Sequence, residues 1–317
     1  MAVKTKRTVK QPKKYTKQDL SIYINLLTDF GFKRVFGIKE VMLNFLNTVL
    51  NIEGGITDLT YGNVEILGLT KNDRKAIFDL ICITGNGERI IVEIQNIEQE
   101  HYRDRMLVYA SQLIQEQNVK GKVNNKYWNF KLDPIYSINI MNFLLGKKKR
   151  PKKYLTQWQL KELDTNEVLY DKLTFVCIEL PLFSKKLRGV KTALEQWIFL
   201  IKSLHELKNI PKKYKTEIFQ KIFEMAKIAK MSKEDVKKYI KSLNDMSLVE
   251  YEINRRDIAI EKRDIAIAAI RAERDIAWNT IVGLQSNNAA LQSNNAALQN
   301  QIEEYKRRYG QLNGKMI

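Results

Sequence analysis

A chain of 317 residues, 44% of them hydrophobic, has enough material for one large domain or two ordinary ones, each with its own core. No apolar run approaches the roughly 20 residues that cross a bilayer, the basic start has no apolar segment behind it to act as a signal peptide, and the only cysteines are Cys82 and Cys177. No membrane anchor and little room for a disulfide framework are therefore expected, no Cys/His cluster around His101 and His205 has zinc spacing, and the expected location is cytoplasmic. The 54 Lys and Arg against 36 Asp and Glu leave a formal net charge of +18, a balance that attracts polyanions such as nucleic acid.

That charge is unevenly placed. Residues 4–17 carry seven basic side chains, no acid and no apolar periodicity, so residues 1–18 read as a basic disordered tail. Asp29-Phe30-Gly31-Phe32-Lys33-Arg34-Val35-Phe36-Gly37 follows, with Asp29 able to cap a helix. Val41, Phe45, Leu46, Val49 and Leu50 then recur at helical spacing until Gly54-Gly55. Ile56 to Gly68 reads as a strand with its loops. Next, two β-rich runs flank Gly85-Asn86-Gly87, the signature of a hairpin. Asp79 lies seven residues before Asn86 and Glu93 seven after it, so the two acids stand opposite each other across the ladder.

Gln99 to about Val119 reads as a helix with Met106, Tyr109, Ala110 and Leu113 on one face and Arg105 and Gln112 on a near-common line. Pro134 opens an apolar strand over Ile135–Phe143. Lys147-Lys148-Lys149-Arg150-Pro151-Lys152-Lys153 forms a basic loop, Leu155–Leu163 alternates, and Leu173–Leu182 is the last strand. Cys82 and Cys177, both in β-rich runs, read as buried small hydrophobes. Residues 190–247 are helical, with Trp197, Leu200, Ile201 and Leu204 on an apolar face, a break at Pro211 and a capping pair in Ser232 and Asp235. The lysines between Lys208 and Lys241 read as a solvated face.

Residues 249–317 differ in kind. Arg-Asp-Ile-Ala recurs at Arg256, Arg263 and Arg274, and Leu-Gln-Ser-Asn-Asn-Ala-Ala repeats from Leu284 and Leu291. Leu284, Leu291, Leu298, Tyr305 and Leu312 fall at heptad d positions and Ile281, Asn288, Asn295, Ile302 and Tyr309 at a, which predicts a coiled coil and a homodimer. The change of spacing from seven to eleven between the second and third Arg-Asp-Ile-Ala is a stutter that weakens the register there.

The acids carry the chemistry. Each sits in an apolar run, where an ionised group is costly without a partner, and a hard divalent cation, Mg²⁺ or Mn²⁺, suits carboxylate oxygens. A solvated pair or a salt bridge to Lys or Arg is the structural alternative. Asp79 with Glu93-Ile94-Gln95 resembles the PD-(D/E)XK nucleases in the variant with Gln in place of the third-motif Lys, and in particular the nuclease-family transposases, or recombination-promoting nucleases. Asp29–Gly37, Tyr102–Tyr109 and Ile178–Phe183 support the resemblance, which spans about residues 20–245.

The resemblance implies an α/β, restriction-endonuclease-like fold over residues 19–248, with a central mixed sheet flanked by helices, to which the coiled coil is a C-terminal extension. It also implies Mg²⁺-dependent cleavage of DNA, with Asp79 and Glu93 as metal ligands, Asp29 as a further acid of the first helix, and Gln95 orienting water. Lys33 and Arg105 are candidates to supply the missing positive charge, Arg105 by touching the scissile phosphate. Nothing resembles a helix-turn-helix or a zinc reader, so little sequence preference is expected, and the protein would be nucleoid-associated when bound to DNA. A second function remains open, a catalytically decayed nucleic-acid-binding or coiled-coil assembly protein.

Overall fold

The computed structural model describes residues 11–66, 76, 77, 79–117, 130–146 and 153–313. The chain divides into two compact units, one of Gln11–Tyr251 and one containing Glu252–Ile317. The first is built on a six-stranded sheet of order β1-β4-β5-β6-β8-β7, formed by Leu59–Tyr61, Leu80–Thr84, Arg89–Gln95, Ile135–Met141, Val168–Glu179 and Leu155–Lys161 respectively. β5, β6 and β8 run parallel, and the other pairings are antiparallel. A separate ladder pairs β2 (Glu65–Ile66) with β3 (Ala76–Ile77). The predicted strand at Ile56–Gly68 is thus split between two sheets. Met1 to Lys10, Gly68 and most of the basic loop at Lys147–Lys153 lie outside the described residues.

Both faces of the sheet are covered, which explains why its central strands read as apolar runs. Ile90, Val92, Ile94, Ile138, Ile140, Val176 and Ile178 face one core together with α1 (Asp29–Phe36), α2 (Lys39–Val49), α4 (Ala193–Ser203) and α5 (Glu217–Ala226). Alternate residues Ile81, Ile91, Ile135 and Leu173 face the other way and pack on Ala110 and Leu113 of α3 (Tyr102–Gln117). α3 starts at Tyr102, later than the predicted Gln99, because His101 has φ 60° and cannot continue a right-handed helix. β8 begins at Val168, ahead of the predicted Leu173. It ends at Glu179, since Pro181 has no N–H for the ladder and the chain turns there in a 3-10 helix. Cys82 and Cys177 are buried and free, as expected of small hydrophobes.

Trp197 is the largest fully buried side chain. Its ring lies 5.6 Å from Phe36, 5.4 Å from Phe45 and 5.4 Å from Phe219, and its Nε1 donates to Asn44 Oδ1 at 3.1 Å. Trp197→Ala leaves a cavity that joins three helices and an orphaned amide, so we expect a loss of about 3–5 kcal/mol in urea unfolding. A loss below 1 kcal/mol would mean that the cluster collapses around the gap.

α6 (Lys233–Asn313) opens with Ser232 accepting from Asp235 N–H at 3.0 Å, the predicted cap, and its residues up to Tyr251 close the first unit. Tyr239 Oη accepts from Asn25 N–H at 2.8 Å, Ser242 Oγ accepts from Phe30 N–H at 3.2 Å, and Arg34 pairs with Asp235 at 3.0 Å. Tyr15 N–H donates to Asn244 Oδ1 at 2.6 Å. The described end of the predicted basic tail is therefore tied down against α6.

In the second unit the helix continues through all the repeats, with the seam residues Ile281, Leu284, Leu291, Leu298, Ile302, Tyr305 and Tyr309 exposed. Helicity is as predicted. Among the described residues no helix is long and apolar enough to cross a membrane.

Candidate active site

The hairpin that carries the acids is closed by a tight turn. Gly87 N–H bonds Thr84 O at 3.0 Å, and Gly87 adopts φ 94°, where a side chain would be strained and would press on Asp133. Leu80 pairs with Val92, so Asp79, one residue before β4, continues the register opposite Glu93. The two acids brace each other through the backbone. Asp79 N–H donates to Glu93 Oε1 at 3.0 Å, and Ile94 N–H donates to Asp79 Oδ2 at 2.7 Å.

Burial pushes both carboxyls above the ordinary range, and for Glu93 the neighbouring Asp79 charge adds to it. The Ile94 N–H and the Lys33 and Arg105 charges only partly offset this at Asp79. Such groups bind protons more tightly folded than unfolded, so their effect on stability turns unfavourable as pH rises from the ordinary carboxylate range through their raised values. Asp79→Asn keeps an acceptor for Ile94 N–H while removing the charge. In EDTA it should raise the neutral-pH Tm by a few degrees and flatten the fall of Tm with rising pH. An unchanged or lower Tm with the same pH slope would show that the pair is not strained.

Alternation along β5 puts Ile91 and Glu93 on the α3 side, while Gln95, at the strand end, lines the cleft beside α1 and α6. From α3, Arg105 Nη2 donates to Glu93 Oε2 at 3.3 Å, Nη1 donates to Gln99 Oε1 at 2.8 Å, and the guanidinium lies 4.8 Å over the Tyr109 ring. Arg105 is thus drawn onto Glu93 and positions it. Arg105 Nε and Gln112 Oε1 are buried without a hydrogen-bond partner among the described residues. On β6, Asn139 stands beside Glu93 in the parallel register, accepts from Tyr102 Oη at 3.1 Å and donates to Ser137 O at 2.9 Å. Sequence reading passed over this support, although two polar residues at alternate positions of an apolar strand were its signal.

Asp29 and Lys33 come from α1. Thr28, not Asp29, is the N-cap, its Oγ1 accepting from Gly31 N–H at 3.0 Å, and Asp29 instead pairs with Lys33 at 2.7 Å. A Cβ on Gly31 would lie 2.1 Å from Asn25 O, so glycine lets α1 seat on the turn before it. Asp29, Lys33, Asp79 and Gln95 line one open cleft of about 920 Å³, which is also lined by Lys238 and Lys241 of α6. Those two lysines belong to the set read from sequence as a solvated face. Gln95 Nε2 donates to Ile97 O at 3.0 Å.

Among the described residues no group of three or more His, Cys, Asp and Glu is gathered closely enough to hold a metal ion. Asp79 and Glu93 come together, whereas Asp29 shares the cleft without joining them. Their oxygens are nonetheless the donors that Mg²⁺ or Mn²⁺ takes, and Asp79 Oδ1 is uncommitted among the described residues. His101 is exposed and pairs with Asp104 at 3.2 Å.

A family model described as PD-(D/E)XK nuclease family transposase matches residues 26–252. No curated protein and no solved structure matches the chain.

Proposed function

Because the chain belongs to the PD-(D/E)XK nuclease family transposases, we propose that it is a Mg²⁺-dependent DNA endonuclease that hydrolyses phosphodiester bonds with little sequence preference. The observation that carries this reading is the pair of buried, mutually braced carboxylates, of which Asp79 lines a cleft that also holds Lys33, Lys238 and Lys241. Asp79 and Glu93 would hold Mg²⁺, with Mn²⁺ as a substitute, and neutralising their charge is what the pair requires of a ligand. When bound, the cation lowers the pKa of a coordinated water and offsets charge at phosphorus.

The chain's own residues divide the remaining work. Arg105 fixes the Glu93 carboxylate. Gln95, neutral where the family commonly has Lys, can orient a water by hydrogen bonding but brings no charge. Lys33, held at the rim by Asp29, contributes positive potential toward the acids, while Asp29 itself is a candidate for a more distant role through metal-bound water. We also propose a homodimer through the heptad seam of residues 281–312, acting in the cytoplasm and on the nucleoid.

Supercoiled plasmid incubated with the protein should be nicked in Mg²⁺ and left intact in EDTA. Binding without nicking in either Mg²⁺ or Mn²⁺ would overturn the enzyme and favour a decayed nucleic-acid-binding protein.

A further inference from the structure

We propose that Lys241, which lines the same cleft as Asp79, is a substrate-binding residue that contacts a backbone phosphate of the DNA. This deepens the endonuclease reading and rests on it. The cleft presents Asp79 and Gln95 from the hairpin, so a phosphate that approaches the acids meets negative charge and a neutral amide. A cation must come from elsewhere in the lining.

Four basic residues line it besides the acids, and three are already committed. Lys33 is paired with Asp29 at 2.7 Å, Arg34 with Asp235 at 3.0 Å, and Lys238 with Glu234 at 2.8 Å. Lys241 makes no ion pair or hydrogen bond among the described residues and is exposed, so its ammonium keeps its full attraction for an anion. Asp245, one turn further along, shares the lining and forms no ion pair with it within 4.0 Å among the described residues.

The backbone that carries Lys241 is held on both sides. Tyr239 and Leu243 are buried, with Tyr239 Oη bonded to Asn25 N–H at 2.8 Å, and Ser242 Oγ is bonded to Phe30 N–H at 3.2 Å. The side chain therefore rises from a fixed point facing the cleft. A fixed point charge on a flexible stem suits a phosphate oxygen and carries no base preference.

The test measures binding of the full-length protein to a fluorescent duplex oligonucleotide by anisotropy in EDTA, from 50 to 300 mM KCl, with cleavage in Mg²⁺ followed separately. Lys241→Ala should weaken binding about 3–10-fold and reduce the slope of log K against log salt by about one unit, the mark of one lost phosphate contact. Lys241→Arg should restore both. Lys237→Ala, on the same helix but outside the lining, should stay within about twofold of the wild type. In Mg²⁺, Lys241→Ala should raise KM more than it lowers kcat.

An unchanged salt slope in Lys241→Ala, or an equal loss in Lys237→Ala, overturns the proposal. Wild-type protein that binds but never cuts removes the endonuclease reading while the slope still decides the role of Lys241. Wild-type protein that does not bind DNA removes both.

Discussion

Asp79→Ala and Glu93→Ala should each abolish Mg²⁺-dependent nicking while leaving the protein folded and able to bind DNA. The two carboxylates are the charges that would hold the cation, and losing one preorganised electrostatic partner in a buried site costs on the order of a hundredfold or more in rate. Folding survives because neither residue contributes to the aromatic core around Trp197. Each substitution orphans one backbone N–H, of Ile94 for Asp79→Ala and of Asp79 for Glu93→Ala, a cost of about 1–3 kcal/mol that is set against relief of charge repulsion. The measurement is plasmid nicking at saturating DNA, with circular dichroism and anisotropy as controls. Nicking by both variants at the wild-type rate would remove the acids from the chemistry.

The second large effect concerns assembly. Full-length protein should sediment as a dimer, and protein lacking residues 252–317 as a monomer that still nicks but makes double-strand breaks at least about tenfold less often, because tethering no longer supplies the second active site at high local concentration. The exposed seam supports this expectation, since Leu284, Leu291 and Leu298 recur every seven residues and are each more than half exposed in the single chain. Asn288 and Asn295 at successive a positions lower the stability of such a coil and favour a two-stranded, in-register pairing. A truncated protein that is still dimeric would move the interface onto the nuclease domain. A full-length monomer would make the repeat a lone helix.

Much of the site could be read from the sequence because its determinants are local. The Gly-Asn-Gly turn fixes the hairpin register, and equal spacing from Asn86 then places Asp79 opposite Glu93 without reference to the rest of the chain. The amphipathic faces of α2 and α4 and the cap at Ser232 are likewise short-range. What could not be read depended on docking. That β5, β6 and β8 are parallel neighbours is settled by crossovers, and periodicity says nothing of which strands meet.

The buried pattern of Tyr239 and Leu243 marks one face of α6, but only its packing on α1 brings Lys241 into the cleft. Arg105 was placed on the correct helix. That it meets Glu93 depends on how deeply α3 sits over the sheet, and sequence spacing carries no such depth.

The bonds from Tyr15 to Asn244 and from Asn25 to Tyr239 span 229 and 214 residues. They bear on the order of events during synthesis. The segment before α1 can be made early, yet these two hydrogen-bond partners arrive only after the start of α6 has left the ribosome, so its closure waits through most of translation. During that wait the chain is open to chaperones and to its own copies. Stalling or premature termination before Lys238 would leave a species with the hairpin acids already made but Lys238 and Lys241 absent, a fragment expected to aggregate before it could cut.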